Sequence, residues 1–99
     1  MSFVCLVEIH LHFPENGSLK GKRKELLAVK AALARRFGAA VAEVDHQDLW
    51  QRSTLAAALV GGSVRELERA AAGLERYLDA RFPSGARVER RLLSFSDLG

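Results

Sequence analysis

The chain has 99 residues, 48% of them apolar, which suits one compact core at residues 1–99 and excludes a disordered segment. A formal charge of +3, from 15 basic and 12 acidic side chains, permits anionic partners without demanding them. One cysteine, Cys5, excludes a disulfide framework, a CxxC metal site and iron–sulfur ligation. No apolar run reaches membrane-spanning length, and Glu8, His10 and His12 interrupt what would be the core of a signal peptide. The expectation is a reduced, cytoplasmic protein. Arginine outnumbers lysine 11 to 4 and Asn, Gln, Cys and Met are scarce, a composition expected of a heat-adapted source or a GC-rich genome.

From Phe3 to Phe13 the odd positions are all apolar, and the even ones turn polar at Glu8, His10 and His12. Period two predicts a strand with its odd face in the core. Pro14 to Gly17 is turn chemistry. Ser18 is placed to cap a helix running to Phe37, with Leu19, Leu26, Val29, Leu33 and Phe37 as its apolar stripe and Gly38 as a left-handed stop. Ala39–Asp45 and Gln51–Val60 read as two strands of a hairpin. Gly61-Gly62 turns the chain, and Ser63 with Glu66 forms a capping box. A second helix follows, carrying Leu67, Ala70, Ala71, Leu74 and Leu78 inward and closing at Phe82–Gly85. A last strand is expected from Ala86 to Phe95. The order β-α-β-β-α-β with right-handed crossovers predicts an α+β, ferredoxin-like fold: a four-stranded antiparallel sheet with two helices on one face and the first strand central.

Two stretches stand apart from this simple patterning, Ser18-Leu-Lys-Gly-Lys-Arg23 and Ala42-Glu-Val-Asp-His-Gln-Asp-Leu-Trp-Gln-Arg52. In residue type, order and spacing they resemble the bacterial YlxP-like family, a domain of unknown function, and the resemblance spans essentially the whole chain. It implies a ferredoxin-like fold and a gene neighbourhood of translation-initiation and ribosome-maturation factors, hence work on RNA or the ribosome. It implies no activity.

The residues themselves admit several readings. Lys20, Lys22, Arg23 and Lys24 open the first helix, where cations oppose the helix dipole. They form either a solvated basic face or, with free N–H groups beside them, a phosphate site, joined by Arg87, Arg90 and Arg91 of the last strand. In the second stretch Asp45, His46, Gln47, Asp48, Trp50 and Arg52 read as a structural hairpin tip, with Asp45 or Asp48 paired to Arg52, an Asx turn at Asp48 and Trp50 packed on a helix end. The alternatives are a subunit contact anchored by Trp50 and a base-stacking platform. Glu8, His10 and His12 share a strand face, but a metal site is not expected of them. The third strand has no aromatic residue inside it, and neither an RNP1 motif nor a Gly-x-x-Gly loop is present, so any RNA would be held by basic edges and not by stacking on the sheet. No nucleophile or ligand set supports an enzyme, and no cofactor is expected. Two functions lead: a non-catalytic RNA- or ribosome-binding module, and a protein-interaction or homodimerisation module built on the Ala42–Arg52 hairpin. The homodimer rests on charge mismatch, with the acidic hairpin of one chain seeking the basic helix start of another.

Overall fold

In a computed structural model, which describes residues 1–98, the elements follow in the expected order: β1 (Phe3–His12), α1 (Leu19–Phe37), β2 (Ala40–Asp45), β3 (Arg52–Gly61), α2 (Val64–Arg81) and β4 (Ala86–Ser94). The sheet is antiparallel with strand order β2-β3-β1-β4, so β1 is central as its long apolar face requires. Cys5, Val7, Ile9, Leu11 and Phe13 are buried under the helices, while Glu8 and His12 lie exposed on the open side with His10 half-buried between them. The fold is the α+β, ferredoxin-like arrangement that the periodicities predict. One element was not anticipated: β4 stops at Ser94 and a single 3-10 turn, Phe95–Leu98, follows, held by the Asp97 carboxylate on the Ser94 N–H at 2.9 Å.

Both helices start in the same way. The Ser18 hydroxyl accepts from the Gly21 N–H at 3.0 Å, and the Ser63 hydroxyl accepts from the Glu66 N–H at 3.3 Å. Each cap leaves the side chain four residues later pointing inward. In α2 that residue is Leu67, buried with Ala71, Leu74 and Leu78. In α1 it is Lys22, buried with Leu26, Val29 and Leu33, and its exposure is only 1%. Lys22 therefore continues the α1 core stripe at the spacing i, i+4, i+7, i+11. Gly38, at φ +67°, ends α1 in the left-handed conformation where glycine escapes the Cβ penalty.

Candidate functional site

The two distinctive stretches meet at Lys22. Its Nζ donates to the main-chain carbonyls of His46 (2.6 Å), Leu49 (2.8 Å), Arg52 (3.0 Å) and Gln47 (3.3 Å), and lies 3.0 Å from Glu43 Oε2. An ammonium has three protons, so these five oxygens share them. The same Glu43 oxygen accepts the Ser53 hydroxyl proton at 2.6 Å. Burying an ammonium is costly unless a carboxylate and further acceptors surround it, and here both do.

Why the loop can converge on one point follows from its backbone. The β2–β3 register shifts between Glu43 and Asp45, and His46 takes φ +63°, a conformation costing a non-glycine residue about 1–2 kcal/mol. The Asp45 carboxylate accepts from the His46 N–H at 2.7 Å and holds that turn, and the Leu49 N–H closes on the His46 carbonyl at 3.2 Å. From the other side Asn16 Nδ2 donates to the Trp50 carbonyl at 2.5 Å and the Ser18 carbonyl at 2.7 Å, and the Phe13 N–H donates to the Gln51 carbonyl at 2.7 Å. The Gln51 side chain donates to the carbonyls of Pro14 and Asn16, each at 3.3 Å. Gly21 packs so close to the Asn16 amide that a Cβ there would strike its oxygen.

Of the residues between His46 and Arg52, all but Asp48 thus have their carbonyl engaged inward. Their side chains go the other way. Leu49 and Trp50 are 46% and 54% exposed, Gln47, Asp48, Gln51 and Arg52 are exposed too, and Val44 adds a further apolar side chain at 50%. A hollow of about 440 Å³ lined by His12, Asp48, Leu49, Trp50, Gln51 and Arg52 opens beside them.

This geometry corrects several expectations. Lys22 is enclosed and has no surface to offer a phosphate. Asp45 caps His46 instead of pairing with Arg52, and neither Asp45 nor Asp48 forms an ion pair among the described residues. The indole of Trp50 stands in solvent and does not pack on a helix end. The acidic hairpin and the basic helix start already meet within one chain, through Glu43 and Lys22, which takes that pair out of the charge mismatch from which a homodimer was argued. The remaining cations are dispersed. Lys20, Arg23 and Lys24 are exposed on α1. Arg87 and Arg91 share the open sheet face with His10 and Leu6, their register partners. Arg90 turns to the helix side, 3.7 Å from Glu75 of α2. Sequence reasoning missed the role of Lys22. The available signal was its place in register with Leu26, Val29 and Leu33, together with a loop rich in backbone that no strand could pair.

Comparison with known proteins places the chain. A family model described as "Protein of unknown function (DUF503)" matches residues 4–90. The chain belongs to that family. It is 31% identical over 76 residues to the Bacillus subtilis (strain 168) protein described as "Uncharacterized protein YlxP", an alignment covering 77% of this chain and 78% of that one. Among solved structures, the de novo designed protein Foldit4 superposes with a TM-score of 0.62 at 14% identity, covering 95% of this chain and 98% of that one. SnoaB, a cofactor-independent oxygenase from Streptomyces nogalater, superposes with a TM-score of 0.51 at 16% identity, covering 95% and 93%. At such identities these two likenesses show the fold alone. Among the described residues no three or more His, Cys, Asp or Glu side chains gather as a metal-binding group, and no helix is long and apolar enough to cross a membrane.

Proposed function

We propose that the protein is a non-catalytic binding module whose recognition element is the 46–52 loop and whose partner is another protein. One observation carries this reading: the loop's carbonyls are held from within by Lys22, Asn16 and the Phe13 N–H, while Leu49 and Trp50 are left exposed. A loop fixed before its partner arrives loses little entropy on binding. An exposed tryptophan beside a leucine matches the usual composition of an interface anchor. The exposed acids Asp45 and Asp48 flank it, so the complementary surface is an apolar pocket with a basic rim. The RNA reading now rests on Lys20, Arg23 and Lys24 on one layer and on Arg87 and Arg91 on the other, which supports it less.

Affinity capture from lysate with wild-type and Trp50→Ala protein, in low and high salt and with or without nuclease, tests the proposal. Partners retained in high salt, indifferent to nuclease and lost with Trp50→Ala are the expected result. Capture that disappears with salt or nuclease and ignores Trp50 would replace it with RNA binding through the basic residues.

A further inference from the structure

The open face of the sheet changes character along its length. The register sets out its rows. Val60, Val4 and Leu93 lie side by side, then Ala40, Ala58, Leu6 and Arg91, then Ala42, Ala56, Glu8 and Glu89. Next come Thr54, His10 and Arg87, and finally Arg52 beside His12. A floor of alanines and aliphatics therefore gives way, at the end nearest the 46–52 loop, to a polar group drawn from three strands. Every histidine of the chain is there, since His46 joins from the loop: its Nδ1 is 3.0 Å from the Thr54 hydroxyl, and His10 Nδ1 is 3.4 Å from the same oxygen.

The cleft at this end has a volume of about 220 Å³ and is lined by His10, His12, Arg52, Thr54, Ser84 and Arg87 among others. Its charges are unevenly matched. Arg87 meets Glu89 at 2.7 Å. Glu8 comes within 3.0 Å of His10 Nε2 but is misaligned for a hydrogen bond, so that buried nitrogen is left without one. Arg52 and His12, in the outermost row, have no acidic partner among the described residues. Arg52 is held at its backbone by Lys22, and its guanidinium makes no hydrogen bond or ion pair among the described residues.

We propose that this cleft is an oxyanion site, with Arg52, Arg87 and His12 binding a phosphate group and His10 and Ser84 at its wall. The volume admits a phosphate or pyrophosphate. Guanidinium forks match phosphate geometry. The site lies on the opposite side of the sheet from Lys22, and it shares Arg52 and His12 with the hollow beside Trp50.

The group can come from a free phosphate compound or from the backbone of an RNA, and titration with inorganic pyrophosphate and, separately, a short single-stranded oligonucleotide distinguishes them. With only three histidines, the imidazole proton resonances report directly on the cleft. Pyrophosphate at low-millimolar concentration should shift those of His10 and His12 saturably. Arg52→Ala and Arg87→Ala should each weaken the binding at least about tenfold, as loss of a charge-assisted hydrogen bond implies. Lys20→Ala should leave it unchanged, which separates this site from the helix start. Saturable binding of the oligonucleotide alone, sensitive to the same arginines, would assign the phosphate to RNA. No saturable shift with either ligand, or binding indifferent to Arg52 and Arg87, overturns the proposal.

Discussion

The two helices occupy equivalent places in the two halves of the fold, and they differ at one core position. Four residues after its serine cap α2 buries Leu67, and four residues after its own cap α1 buries Lys22. The leucine ends in the core and fills it. The lysine stem fills the same kind of space, but its ammonium passes beyond the core and draws the β2–β3 connection onto itself. On the α2 side the connection after β3 is only Gly62 and Ser63, which need no such support. The comparison shows one packing position used in two ways, for volume in one half and for shaping a surface loop in the other.

Substitution at these paired positions is the strongest way to break the comparison. Lys22→Met keeps the stem and removes the charge, leaving the Glu43 carboxylate without its cation and depriving four carbonyls of the ammonium, of which that of His46 keeps the Leu49 N–H. A loss of about 3–5 kcal/mol is expected in denaturant unfolding. Leu67→Met, a volume-conserving change, should cost less than about 1.5 kcal/mol. Lys22→Arg should also be poorly tolerated, because a planar fork cannot gather carbonyls converging on a point. Equal losses for the two methionine variants would show that Lys22 is merely core filling.

A smaller effect is expected at Gly21. Gly21→Ala would push the Asn16 amide off the Ser18 and Trp50 carbonyls, at a cost of about 1 kcal/mol, and double-mutant analysis with Asn16→Ala should find the two changes largely redundant. Burial pushes the Cys5 thiol up. The folded chain therefore keeps its proton where the unfolded chain gives it up, so this contribution to stability is intact below the ordinary thiol range and declines as pH rises through and above it. Urea midpoints measured across that range should fall more steeply for wild type than for Cys5→Ala. Least of all, Trp50→Ala should move stability by no more than about 0.5 kcal/mol, since the indole is exposed.

The fold was legible because its signals are local. Odd-position apolar residues from Phe3 to Phe13, the serine caps and Gly38 each act within a few residues, and each element formed within a residue or two of its expected bounds. The site was legible only as composition. Lys20, Lys22, Arg23 and Lys24 look alike in the sequence, and what separates Lys22 is the direction its Cβ takes from the helix, which the flanking cations obscured. Its partners are backbone carbonyls, which every residue possesses, so no residue type in the 46–52 stretch marks them. Trp50 misled for a related reason: large aromatic side chains are usually covered, and here the loop's inward contacts are made by its main chain instead. The cationic cleft depends on register across β3, β1 and β4, which pairs Arg52 with His12 and His10 with Arg87 over long separations in sequence.

The central claim is that Lys22 fixes the 46–52 loop in the form that presents Trp50. Backbone order parameters from NMR relaxation, compared between wild type and Lys22→Met under conditions where both are folded, test it most directly. The account predicts rigid values near about 0.85 across His46–Gln51 in wild type, falling below about 0.6 in the variant while β1 and β3 stay unchanged. A loop as rigid without the ammonium as with it would contradict the account.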